Sequence, residues 1–162
     1  MTEEEWKPVN IKGVIIPDYF VSYTGQVKST KRKTEKLLKI NDRDCRKEGG
    51  TGRGNASSVG LSKPKDLIID EYNGEGKKHL TYQVHQLVMW AHRPIEQYPP
   101  ECLKDEWHLM PPEGKKWVRD TVTIDHIDDN PFNNHVDNLR YVKQKDNNSH
   151  RKHHGNKSKD SV

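Results

Sequence analysis

With 162 residues, of which 30% are apolar and 32% charged, the chain can form one ordinary domain or two small ones but no thick interior, which disfavours a metabolic enzyme built around a deep pocket. The net charge of +4 is that of residues 143–162, where Lys143, Lys145, Arg151, Lys152, Lys157 and Lys159 stand against Asp146 and Asp160, leaving the remainder neutral overall. There is no apolar run long enough to span a membrane, the start MTEEEWK is acidic, and Cys45 and Cys102 form no CxxC pair; an intracellular protein with reduced thiols is expected, without a membrane segment, a zinc ribbon or a disulfide framework.

In chain order, residues 10–29 are rich in β-branched and aromatic side chains. They read as short strands broken at Pro17-Asp18 and at Thr24-Gly25, with Gly25 supplying a left-handed turn position. Lys28, Lys31, Arg32, Lys33, Lys36 and Lys39 follow as a basic segment opposed only by Glu35. Residues 42–64, polar and glycine-rich, read as a flexible loop or linker; the Gly-Arg-Gly within them lacks the strand, lysine and helix of a phosphate-binding loop. LIID at 67–70 and HLTYQV at 79–84 read as the strands of a hairpin. Val84, Leu87, Val88 and Ala91 then fall on one helical face, with Pro94 as the stop. The proline-rich stretch 93–120 reads as mostly irregular, pinned to the body by Trp107 and Trp117.

The last 40 residues carry the chemistry. TVTIDHI alternates like a strand, DDNPFNN is a loop by composition, LRYV is a second strand, and KQKDNNSHRKHH tolerates a helix, which gives a ββα unit. Asp125 and His126 sit at the end of the first strand with their side chains on opposite faces, and Asn147 lies near the start of the helix. A carboxylate and an amide oxygen are hard donors suited to Mg²⁺ or Mn²⁺. A histidine titrating near neutrality can take a proton from water, so metal and base together suffice for phosphodiester hydrolysis.

The string DHIDDNPFNNHVDNLRYVKQKDN resembles the active-site motif of His-Asn-His (HNH) endonucleases, most closely the phage homing branch. The resemblance implies Asp125 and Asn147 as metal ligands, His126 as general base and Asn138 as the residue orienting the histidine-bearing loop. WKPVN and YFVSYTGQVKS likewise resemble the small N-terminal NUMOD4-like module of these nucleases, and VHQLVMWAH resembles their helix upstream of the active site. Three departures stand out. Asn147 replaces the third histidine of the name, as in the homing branch, which implies a hard divalent ion rather than zinc; Gln86 replaces the arginine usual after the upstream histidine; and Lys143 takes the helix start where a capping Ser or Thr would be favourable.

Other residues have competing readings. His85 suits a structural hydrogen bond more than metal binding, and Asn130, Asn133 and Asn134 suit turn geometry. Asp128 and Asp129 suit loop solvation, and Arg140 suits either a phosphate contact or a surface role. His150 and His154, at i and i+4, suit a basic tail facing DNA more than a metal site.

The sequence thus predicts an α+β fold: a small β-rich DNA-binding module over 1–41, a loop or linker over 42–64, a nuclease domain over 65–155 with its ββα-metal core at 121–154, and a basic tail over 156–162. The expected activity is hydrolysis of double-stranded DNA with Mg²⁺ or Mn²⁺ by a monomer that nicks one strand in the cytoplasm of its host cell. Lys28, Lys31, Arg32, Lys33, Arg140, Lys143, Lys145, Arg151 and Lys152 are expected to contact the DNA. The rivals are a DNA-binding accessory protein with a silent site and a small zinc protein using the C-terminal histidines and the cysteines.

Overall fold

A computed structural model describes residues 5–43, 56–69 and 78–143. Strands β1 (Trp6–Ile11) and β2 (Val14–Ser22) form a hairpin. Its turn, Lys12-Gly13, has positive φ at both positions (51° and 94°), and the Gly13 amide donates to Asn10 Oδ1 at 2.7 Å. Pro17-Asp18 does not end the strand as its composition suggested. The β1–β2 register shifts between Pro8 and Asn10, and β2 accommodates Asp18 at φ 67°, so a local irregularity absorbs a residue that cannot donate to the ladder. β3 (Val27–Ser29) and β4 (Lys36–Leu37) complete a sheet of order β1-β2-β3-β4.

A second antiparallel sheet joins β5 (Asn41–Arg43), β6 (Ala56–Ser62) and β7 (His79–Gln83). This corrects the loop reading of 42–64 at 42–43 and 56–62, while 44–55 lie outside the described residues. Ser57, Val59 and Leu61 alternate inward and are buried, a period of two that serine and glycine at the intervening positions conceal. β6 takes the place expected of LIID as the partner of β7, and residues 63–69 form no strand. Pro64 opens a turn there that the Leu67 amide closes on its carbonyl at 3.2 Å.

Helix α1 (Val84–His92) buries Val84, Leu87, Val88 and Met89 and stops at Arg93, one residue before Pro94. The His92 ring donates to the Val21 carbonyl at 2.9 Å, fastening the helix to β2. The stretch 93–120 is less irregular than its prolines suggested: helix α2 spans Pro112–Thr121. Pro112 lies in its first turn, where a missing N–H costs nothing, and Glu113 beside it complements the helix dipole. Trp107 is 5% exposed and does anchor this region, whereas Trp117 is 67% exposed and does not.

The chain ends its described course in the hairpin β8 (Val122–His126) and β9 (Leu139–Lys143). Lys143 is the last residue of β9, not the start of a helix. The helix expected beyond it lies outside the described residues, as does the connection between LIID and HLTYQV, residues 71–77. One buried cluster joins the two larger sheets, α1 and the C-terminal hairpin: Val9, Val21 and Val27 from the first sheet, Val59 and Leu61 from the second, Leu87 and Val88 from α1, and Leu139 and Tyr141 from β9. The Tyr141 hydroxyl, pushed to high pKa by burial, donates to the Arg93 carbonyl at 2.8 Å and so seats the hairpin on the end of α1. The result is a mixed α/β fold of small sheets and, among the described residues, two α-helices.

Candidate active site

Asp125 and His126 are the last two residues of β8, and the alternation of the strand sends them to opposite faces. Asp125 pairs across the ladder with Arg140, whose Nε and Nη2 both donate to Asp125 Oδ2 at 3.0 and 2.9 Å. The carboxylate is nearly buried, with its side chain 10% exposed against 46% for the guanidinium.

His126 faces α1 and the loop that follows β8. Its Nε2 lies 2.9 Å from Asn134 Oδ1, and an amide oxygen can only accept. Nε2 therefore carries the proton, and Nδ1 is left with the lone pair that a base needs. The His85 ring meets His126 edge-on, with centroids 5.1 Å apart and planes at 77°. Burial pushes the His85 imidazole down to about 4, with the adjacent His126 adding to the shift, so His85 is neutral at pH 7.

The loop itself is held by asparagines. Asn138 Nδ2 donates to Asp128 Oδ1 at 2.9 Å and to the Asn133 carbonyl at 2.8 Å, while its Oδ1 accepts from the Asp128 amide at 3.1 Å. Its carbonyl receives the Ile127 amide at 2.8 Å. Asp128 gathers the Asn130 amide and the Asn133 and Asn138 side chains, and these hydrogen bonds hold its carboxyl below the usual range. Asn138 thus closes the base of the loop, and Asn134, assigned only turn geometry from sequence, is the residue that touches the histidine. A buried amide (6% exposed) among the exposed Asn130 and the half-buried Asn133 and Asn138 leaves no mark in composition.

The N-terminal sheet reaches this loop. The Val136 amide donates to the Tyr23 carbonyl at 2.8 Å, Tyr23 and His135 meet edge-on at 5.3 Å, and Gly25 sits against Asn134. Gly25 has φ +96°, and a Cβ there would lie 3.0 Å from Asn134 Cβ. Gly25→Ala is therefore expected to lower stability by about 1–2 kcal/mol through backbone strain alone. It should also push Asn134 off His126, and the loss is read as a lower melting temperature in thermal denaturation.

A second expectation follows from His85. Its folded pKa lies below the ordinary 6.5, so between pH 6.5 and about 4 the unfolded chain binds a proton that the folded chain does not. Stability is then full above pH 6.5 and is lost on acidification, by about 2 kcal/mol at pH 5. Burial lowers His92 in the same direction. Urea midpoints should drop between pH 7.5 and pH 5, and His85→Phe should flatten much of that slope.

The basic residues fare unevenly. Lys28 Nζ lies 4.5 Å over the Trp6 ring and is ion-paired with Glu35 at 3.1 Å, and Lys31 Nζ donates to the Ser62 carbonyl at 2.7 Å, so both ammonium groups already have internal partners. Arg32, Lys33 and Lys143 are exposed. Asn147, Lys145, Arg151 and Lys152 lie outside the described residues, together with His150 and His154.

For a divalent ion, the chemistry at Asp125 fits: a nearly buried carboxylate oxygen already holds a cationic group. Among the described residues no three His, Cys, Asp or Glu side chains come together as a metal cluster, so a full set of protein ligands there would need an amide such as Asn147 or water. No helix among the described residues is long and apolar enough to cross a membrane.

Residues 113–149, which contain Asp125, His126, Asn138, Arg140 and Asn147, match the family model described as HNH endonuclease. Among solved structures, the chain is similar to one described as DNA binding and cleavage by the HNH homing endonuclease I-HmuI, with a TM-score of 0.52 and 30% sequence identity. That likeness covers 93% of this chain and 59% of the other, so the chain spans somewhat over half the length of the protein it matches. No curated protein matches.

Proposed function

We propose that the protein is a metal-dependent DNA endonuclease whose HNH site hydrolyses one phosphodiester bond per binding event. Both comparisons support a DNA nuclease. The observation that carries the reading is the state of His126: Asn134 accepts from Nε2 at 2.9 Å, which fixes the tautomer and leaves Nδ1 basic, one residue from a carboxylate that holds a cation.

In this mechanism His126 Nδ1 takes a proton from the attacking water, and the imidazolium so formed keeps its Nε2–H bond to Asn134. The water attacks in line, the 3′ oxygen leaves and takes up a proton from solvent, and the product carries a 5′ phosphate, after which the imidazolium returns its proton to solvent. Asp125 and Asn147 would hold Mg²⁺ or Mn²⁺, which supplies Lewis-acid stabilisation of the negative charge gathering on the phosphate. Asn138 keeps the loop closed and so keeps Asn134 in reach of the histidine. His85, neutral and packed edge-on, limits the freedom of the ring without competing for the proton. Arg32, Lys33, Lys143 and the basic residues beyond it offer phosphate contacts that set orientation rather than sequence. The ββα-metal arrangement, the N-terminal DNA-binding module and the monomeric state belong to the same reading. One site in a monomer cuts one strand.

A silent site in a DNA-binding accessory protein is the second reading, favoured by one observation: Arg140 already neutralises the carboxylate that an ion would need, through two bonds to Oδ2. Incubating supercoiled plasmid with Mg²⁺, Mn²⁺ or EDTA separates the two. The endonuclease gives open-circle product that requires the ion and disappears in His126→Ala. A silent site gives no ion-dependent product from the unaltered chain.

A further inference from the structure

We infer that Arg140 is a placeholder for the divalent ion: it holds Asp125 while the ion is absent and passes to a DNA phosphate when the ion binds. The inference rests on the endonuclease reading above and concerns the order of events within the same site.

Three features of the structure carry it. First, Nε and Nη2 of Arg140 converge on a single oxygen, Asp125 Oδ2, at 3.0 and 2.9 Å. Those two bonds take up Oδ2 and leave Oδ1 open, but an ion on either oxygen would lie beside the guanidinium and be repelled by its positive charge until the arginine moves away. Second, the two partners differ in freedom. The Asp125 side chain is 10% exposed, whereas Arg140, directly opposite it in the two-stranded β8–β9 ladder, is 46% exposed. The arginine is the partner that can leave without disturbing the hairpin. Third, it has somewhere to go. Arg140 lines a cleft of about 350 Å³ between β9 and the segment Tyr98–Cys102, where Arg93 and Lys143 face a single carboxylate, Glu101. Arg93 is itself paired with Asp137, so while Arg140 is paired with Asp125 the charged groups lining the cleft leave little surplus positive charge.

The physical logic is an exchange of partners. Asp125 is one negative charge and cannot neutralise both a guanidinium and a divalent ion, so loading the ion leaves Arg140 without a counter-charge. A DNA phosphate supplies one, and a guanidinium is well shaped to take it with two parallel bonds. Ion and DNA then help each other to bind, each favouring the arrangement in which Arg140 has left Asp125, and this coupling is necessarily reciprocal. In the resting state the same contact keeps a nearly buried carboxylate satisfied.

The test is the binding of Mn²⁺ alone, followed through the electron paramagnetic resonance signal of the free ion. Arg140→Gln removes the competitor and is expected to tighten Mn²⁺ binding by about 2–5-fold, the scale of a partly exposed ion pair. Arg140→Lys, which keeps a cation opposite Asp125 and protects the fold if the glutamine variant is unstable, should tighten it less. In a His126→Ala background, where DNA is not consumed, a mixed-sequence duplex should strengthen Mn²⁺ binding several-fold, and adding Arg140→Gln should remove that enhancement. A merely structural arginine predicts the opposite sign, because loosening the hairpin weakens the site. Unchanged or weaker Mn²⁺ binding in both arginine variants overturns the inference while leaving the nuclease reading intact. Failure of the unaltered chain both to bind Mn²⁺ and to cut plasmid overturns the two together.

Discussion

His126→Ala is expected to reduce Mg²⁺- or Mn²⁺-dependent plasmid nicking by about 10²–10⁴-fold, the range over which a positioned general base contributes. The loss should fall on the catalytic rate rather than on DNA affinity, because His126 is engaged by Asn134 and His85 and lies on the face of β8 opposite the Asp125–Arg140 pair. The substitution also has a structural cost. It leaves the Asn134 amide, 6% exposed, without its partner, and an unsatisfied buried polar group costs about 1–3 kcal/mol. Melting curves must therefore accompany the kinetics. His126→Gln separates the two effects, since a glutamine amide can still donate to Asn134 but cannot serve as a base near neutral pH. Both variants should be inactive, with the glutamine form the more stable. A glutamine variant that nicks at the unaltered rate would remove His126 from the mechanism and with it the proposed reaction.

How the histidine is held was only partly legible in the sequence. The β8–β9 hairpin, α1 and the turn at Gly25 follow from periodicity and from the one residue type that tolerates φ +96° without penalty. Where sequence reasoning went astray, composition masked pattern. Ser57, Val59 and Leu61 alternate, but glycine and serine around them read as loop, and the paired prolines before α2 read as irregular although the second is a helix-start signal. The site divides along a similar line. Asp125 and His126 stand out because they are adjacent and chemically distinct, whereas Asn134 is one of several asparagines within a few residues. Only the packing of the loop against Gly25 and β8 selects it. The contact of Arg140 with Asp125 is a matter of register: residues 15 positions apart face one another once the hairpin pairs Ile124 with Tyr141, and no local signal encodes that.

The same register makes Asp125→Asn the sharper probe of the other half of the site. Replacing the carboxylate with an amide keeps its shape and an oxygen for Arg140, but removes the charge that attracts a divalent ion. Nicking is expected to fall by about 10³-fold or more with either ion, by analogy with the loss of other charge-stabilising groups, and Mn²⁺ binding should weaken in parallel. The effect on stability decides whether that result concerns chemistry or folding. Removing one partner of a fully buried ion pair costs about 3–5 kcal/mol, because the charge left behind is stranded away from water. Here the charge left behind belongs to Arg140, whose side chain is 46% exposed and can be rehydrated, while the group neutralised is the nearly buried one. The change in unfolding free energy should therefore stay within about 1 kcal/mol, the scale of an exposed pair. An inactive, ion-blind protein with a near-normal melting temperature would assign Asp125 to the ion. A protein that loses activity only because it has lost several degrees of melting temperature would instead make the Asp125–Arg140 pair a strut of the hairpin.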